Sequence, residues 1–231
     1  EVMRRRVLDD LLPGADVTVT PFGVDLEDFK PARFPARPPG APPVIGTARV
    51  LKAKYGIDTL IRAVALLHRE GRSTLKLEIV GSGPARDRYG RLARREKIDT
   101  HVTFHGEIAH HRIPELLSGF DVFAAPSRLD GESFGVAVIE ASAMEKPVVV
   151  SRIGGLPEVV EEGVTGLICP KEDPPALARA LARVLDDPEL AARLGAQGRR
   201  RVEEHYSWPA CLDRMEALYE RALTLSAQSA T

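Results

Sequence analysis

Cysteine is scarce in these 231 residues: only Cys169 and Cys211 occur, far apart in the chain. They form no Cys-x-x-Cys pair and cannot build a secreted disulfide framework, which points to a reducing cytoplasm. No charge of one sign dominates, since 28% of residues are charged and the formal net charge is −1. A solvated basic or acidic excess is therefore missing, which argues against nucleic-acid binding and against disorder. No apolar run approaches the roughly 20 residues of a membrane span, and no charged-then-apolar signal peptide opens the chain. No Asp-x-Asp pair and no internal repeat is present. The length suits one sizeable domain with appendages. The first residue is Glu1 and not Met, which reads as a piece of a longer protein.

What is present is alternation. Val44–Ala48 reads as a buried strand, and Ile57, Leu60, Ile61, Val64 and Leu67 then fall at helical spacing. Leu75, Leu77 and Ile79 alternate with polar residues up to Gly81-Ser82-Gly83-Pro84, and a helix is expected from Pro84 to about Lys97. Strands follow at Val102–His105, Asp121–Ala125, Pro147–Val150 and Thr165–Ile168, with helices at Ile113–Ser118, Phe134–Met144 and near Glu158. Three helical stretches close the chain, and Val2–Leu12 reads as a helix and Val17–Thr20 as a strand before a proline-rich linker, Phe29–Pro43. Such alternation implies an α/β fold, a Rossmann-like parallel sheet with helices on both faces plus C-terminal helices. Ligands of such sheets bind beyond the carboxyl ends of the strands, so the loops after Ala48, Val80, His105, Ala125 and Val150 are the ones to inspect.

The run Glu132-Ser133-Phe134-Gly135-Val136-Ala137-Val138-Ile139-Glu140 carries the main chemical signal. Ser133 is placed to cap the following helix. Eight residues at helical rise separate the two glutamates by on the order of 12 Å. Glycosidase carboxylates sit roughly 5–9.5 Å apart across one bond, so this pair is unsuited to that work. It suits one long ligand gripped at both ends, with an anion at the helix start between them. A nucleotide-sugar has that form. Spacing alone equally allows two ordinary surface charges.

The stretch Pro126-Ser127, Gly131-Glu132-Ser133-Phe134-Gly135, Glu140-Ala141, Lys146-Pro147-Val148-Val149, Gly154-Gly155-Leu156-Pro157-Glu158 and Gly163-Val164-Thr165-Gly166 resembles the retaining glycosyltransferases of family 4, which have the GT-B fold. Upstream, the resemblance takes in Gly46, Lys54-Tyr55-Gly56-Ile57-Asp58 and Gly81-Ser82-Gly83-Pro84, and reaches Pro21-Phe22-Gly23-Val24-Asp25. It implies that Glu132 holds hydroxyls of the donor sugar and Glu140 the ribose hydroxyls. The backbone N–H groups of Phe134, Gly135 and Val136, beside Ser133, would meet the sugar and diphosphate. A lysine and an arginine on the loop after the first strand would neutralise the diphosphate, generally without a metal or cofactor. Lys54 matches the lysine. The usual arginine position holds Thr47, so Arg49 is the nearest substitute, a solvated loop charge being the alternative. Gly46 belongs to the same donor set. Gly81 and Gly83 either allow close approach of the donor or make a plain tight turn, and Ile108 meets the nucleobase through its backbone. Glu145 stands where the family commonly has glycine, which implies a changed helix end.

Two weaker signals fall away. The third glycine of a dinucleotide fingerprint is replaced by Arg86. His101, His105, His110 and His111 invite a zinc site, but four residues of strand span roughly 13 Å, too far for one ion. The resemblance begins just before the linker, so roughly the N-terminal half of a GT-B enzyme is expected to be missing. Residues 1–43 read as the end of that acceptor domain and a linker. Residues 44–205 read as the nucleotide-sugar-binding domain, and 206–231 as a helix returning to the missing half. Any peripheral membrane contact would come through that half. The alternatives are a stand-alone module serving a separate acceptor subunit, and a degenerate scaffold, against which the intact glutamates argue.

Overall fold

The computed structural model describes residues 1–35, 37–129 and 134–229. Six strands are present among them: β1 (Val44–Ala48), β2 (Lys76–Val80), β3 (Val102–Gly106), β4 (Val122–Ala125), β5 (Val148–Ser151) and β6 (Gly166–Cys169). They form one all-parallel sheet in the order β3-β2-β1-β4-β5-β6. Ile45 pairs with Leu77 on one side and Val122 on the other, which puts β1 at the centre. The central strands β1, β4 and β5 are largely apolar on both faces, as strands covered on both sides require, whereas β2 and the edge strand β3 alternate apolar with polar residues. Val148, Val149 and Val150 are all wholly buried.

Alternate strand residues feed two cores. Ile45, Leu77, Ile79, Val122, Val149 and Leu167 pack with α2 (Ile57–Arg69), α3 (Arg86–Arg95) and α7 (Pro174–Asp186). Val44, Val80, Phe123, Ala125, Val148 and Val150 pack with α4 (Ile113–Ser118), α5 (Val136–Ala143) and α6 (Leu156–Val159). Burial of each such side chain contributes roughly 1.5–3 kcal/mol before entropy is counted. α7 and α8 (Pro188–His205) each begin with proline, and the preceding Asp173 and Asp187 carboxylates accept the N–H of Ala176 at 2.8 Å and Leu190 at 2.9 Å. The chain starts with α1 (Val2–Arg6), continued by a π-helical turn over Val7–Leu11, and ends with α9 (Trp208–Ser229). Trp208 lies so close to Gly23 that a β-carbon there would meet its ring at 2.7 Å.

The structure corrects three expectations. Val17–Thr20 is not a strand: its apolar-polar alternation is present, but no strand pairs with it, and Val19 is 44% exposed. α5 starts at Val136, with Gly135 and not Ser133 as its N-cap, because Gly135 holds a left-handed φ of 88°. α3 starts at Arg86, two residues after Pro84, because Pro84 and Ala85 form a turn ahead of it. The proline-rich stretch is also well anchored. Phe29 is buried, and the Arg37 guanidinium pairs with Asp121, whose carboxylate also accepts the Val44 N–H at 2.7 Å.

In this strand order the chain reverses direction across the sheet between the neighbours β1 and β4. The crevice at their carboxyl ends is where ligands of such sheets bind.

Candidate nucleotide-binding cleft

Four loops leave the carboxyl edge around that reversal. The one after β1 is fixed by backbone bonds, with the Arg49 N–H donating to Val80 O and the Leu51 N–H to Ser82 O, each at 2.8 Å. This contact explains the two glycines after β2. A β-carbon on Gly81 would lie 2.0 Å from the Arg49 carbonyl oxygen, and one on Gly83 2.7 Å from that of Leu51. Gly81 also holds φ 125°. The glycines thus let one loop lie on another, which is the tight-turn alternative in a specific form.

The loop after β1 then makes a helical turn over Ala53–Tyr55. Lys54 and Arg49 both stand over the Tyr55 ring, at 4.8 Å and 5.2 Å from its centroid. The turn is tied to the exit of β4. The Arg128 N–H donates to Lys54 O at 2.9 Å, and its guanidinium pairs with the buried Asp58 at the start of α2. Burial pushes the Asp58 carboxyl up, but Arg128 and Arg62 outweigh that and hold it below its ordinary value. Gly56 closes the turn at φ 65°, where a β-carbon would meet the Pro126 carbonyl oxygen at 1.9 Å.

Between these loops lies a cleft of about 480 Å³. It is lined by Arg49, Gly81, Gly83, Ile108, His110 and Glu140, among others. Five residues singled out in the sequence therefore meet in one place, although they span 92 positions from Arg49 to Glu140. Glu140 lies on α5, is 8% exposed, and accepts a hydrogen bond from His110 Nε2 at 2.8 Å. Burial raises its pKa above the ordinary glutamate value, while His110 and then Arg49 pull it down.

Other candidates lie elsewhere. Gly46 is inside β1, where a β-carbon would strike the Phe120 ring at 2.0 Å, so packing accounts for it. The Phe134 side chain packs on Phe22 and Tyr206 in a second cavity, which Glu158 also lines. Val136 opens α5 and is 38% exposed. Glu132 and Ser133 lie outside the described residues. Three of the four histidines have separate partners: His101 packs on His68, His105 meets Glu78, and His110 meets Glu140. Among the described residues no group of three potential ligands could hold a metal ion, and no helix is long and apolar enough to cross a membrane.

His110 was not legible as part of this site. Its place in the loop leaving β3 was the available signal, but its partner lies 30 residues away.

Comparison with known proteins shows the family at a coarser level. Residues 28–201 match the family model described as "Glycosyl transferases group 1". The chain is 36% identical over 216 residues to a GDP-mannose-dependent alpha-(1-6)-phosphatidylinositol monomannoside mannosyltransferase of Mycolicibacterium smegmatis, covering 89% of this chain and 56% of that protein. It thus spans about half the length of such curated relatives. Among solved structures it is similar to sucrose-phosphate synthase of Thermosynechococcus elongatus, with TM-score 0.86 and 29% identity over 97% of this chain and 57% of that one. It shares its fold with an Anabaena protein, HepE, solved in complex with UDP and glucose, at TM-score 0.75 and 21% identity, covering 86% of this chain and 55% of that one. The chain belongs to the group 1 glycosyltransferases.

Proposed function

We propose that the chain is the donor-binding half of a retaining glycosyltransferase of family 4, holding a nucleoside-diphosphate sugar across the carboxyl ends of β1 to β4. The observation that carries this reading is the cleft uniting Arg49, Gly81, Gly83, Ile108 and Glu140 at the sheet's reversal point. In it Glu140 holds the ribose hydroxyls and Ile108 lies along the base. Arg49 and Lys54 meet the diphosphate, helped by the N–H groups at the start of α5, where a helix favours an anion. Glu132 holds the sugar hydroxyls. As the glycosidic bond breaks, negative charge gathers on the leaving diphosphate, and fixed cations and N–H groups stabilise it without reorganisation or a resident metal.

The names of similar proteins support a nucleotide-sugar and differ in the base: GDP-mannose in one, UDP in another. The acceptor would sit on a further N-terminal domain, which would also make any peripheral membrane contact. The half-length match equally suits a stand-alone module working with a separate acceptor subunit. The reading frame upstream of Glu1 distinguishes the two.

The test is calorimetry of the chain with UDP, GDP and ADP and with their sugars, in EDTA. One nucleotide is expected to bind, and no sugar to be transferred. Glu140→Ala should weaken the bare nucleotide about 10–100-fold, the size of a lost hydrogen bond to a charged group. Glu132→Ala should chiefly abolish preference among sugars. Equal effects of both on bare nucleotide, or turnover by the chain alone, would sink the reading.

A further inference from the structure

The Glu140 carboxylate is nearly buried, and it accepts a hydrogen bond from His110 Nε2. When Glu140 is ionised, Nε2 must carry the hydrogen, because a carboxylate only accepts. The two residues sit on different elements, His110 on the short helical turn His110–Arg112 after β3, Glu140 on α5. The imidazole is itself braced. Its ring lies 5.6 Å from that of Phe29, tilted by 51°. Phe29 is 2% exposed, and its carbonyl accepts from Arg199 Nη1 at 2.5 Å. The His110 side chain, by contrast, is 71% exposed, so core packing does not require it. The other charged residues lining the cleft are Arg49 from the loop after β1 and Glu107 from the loop after β3, and Glu107 accepts from Ser82 Oγ at 3.2 Å.

We propose that His110 is the positioning residue for Glu140: its ring N–H fixes one carboxylate oxygen, so that the other is presented to the ribose hydroxyls of a bound nucleoside diphosphate. An unheld carboxylate would have to give up rotamer freedom each time a ligand binds. A braced one meets the ligand already oriented. The inference rests on reading the cleft as a nucleotide site, and it extends that site to a residue on β3's exit loop and to Phe29 beneath it.

The test compares UDP, GDP and ADP with their 2′,3′-dideoxy counterparts on the wild-type chain, His110→Ala and His110→Gln. The wild type should prefer the ribose form of its nucleotide by about 10-fold or more. His110→Ala should compress that preference to about 2–3-fold, while His110→Gln, which keeps an N–H donor at similar reach, should retain most of it. General damage to the fold would weaken both forms alike and leave the ratio standing. A full ribose preference in His110→Ala would overturn the inference and leave the nucleotide site intact. No ribose preference in the wild type would overturn the ribose role of Glu140, and this inference with it.

Discussion

Glu140 carries a conflict between folding and binding. A carboxylate that is 8% exposed has lost most of its water, and burial therefore raises its pKa. The sign follows from linkage. A group whose folded pKa lies above its unfolded value contributes stability that is fully present below the unfolded pKa and is lost as pH rises through the folded one. Around neutral pH the ionised Glu140 is thus a cost to the fold. Glu140→Gln keeps the shape and an acceptor for His110, and removes the charge. Its thermal midpoint should exceed that of the wild type at pH 7, by about 2–4 °C for each kcal/mol recovered. The gain should vanish as pH falls below the ordinary glutamate range, where both states of the wild type are protonated. Thermal melts at pH 4 and pH 7 test this; an equal gain at both pH values would show that packing, not charge, is responsible. Nucleotide affinity should fall in the same variant. At this scale the sequence was only partly readable. Glu140 stood out through its motif, whereas His110 resembled a possible metal ligand, because a hydrogen bond between two loops leaves no mark in local spacing.

Among the elements, α5 shows how a departure from the family pattern is accommodated. Glu145 replaces the usual glycine just beyond the helix and takes φ 54°, a left-handed conformation. Its carbonyl faces α8, where a β-carbon on Gly195 would meet it at 2.1 Å. The backbone there is held by close helix packing, so Glu145 keeps the conformation that glycine would adopt freely. Glu145→Gly should stabilise the chain by about 0.5–1 kcal/mol, the left-handed strain being partly offset by a more flexible unfolded chain. Urea unfolding measures it; a loss of stability would mean that the Glu145 side chain supplies something beyond its backbone. The sequence implied a changed helix end, and the backbone instead takes the left-handed turn open to glycine. The six strands and main helices were legible, because a buried parallel strand is a short apolar run between turns. Helix starts were less so. Gly135 caps α5 and Arg86 begins α3 for reasons of backbone conformation that polar-residue capping rules do not contain. Val17–Thr20 had the pattern of a strand and lacked the neighbour, and pairing is decided by the rest of the chain.

At the scale of the molecule, the sheet joins two cores that the chain does not build separately. Within β5, Val149 belongs to one core and Val148 and Val150 to the other. Neither face can lose its packing without uncovering strands that the other face needs, so unfolding should be a single cooperative transition. Leu181 on α7 and Ile139 on α5 are both wholly buried, one in each core. Cutting either to alanine should cost about 2–5 kcal/mol. Each change should move the whole transition as seen by far-ultraviolet circular dichroism and by amide exchange in all six strands. Their effects on binding should differ. Ile139 precedes Glu140 on the helix that lines the cleft, whereas Leu181 packs on the opposite face of the sheet. Well below its melting temperature, Leu181→Ala should bind nucleotide as the wild type does, and Ile139→Ala should bind it several-fold more weakly. If Leu181→Ala loses affinity equally, the cleft depends on the rigidity of the entire sheet. If each variant melts only the strands nearest its own core, the two faces fold independently and the shared-sheet argument fails.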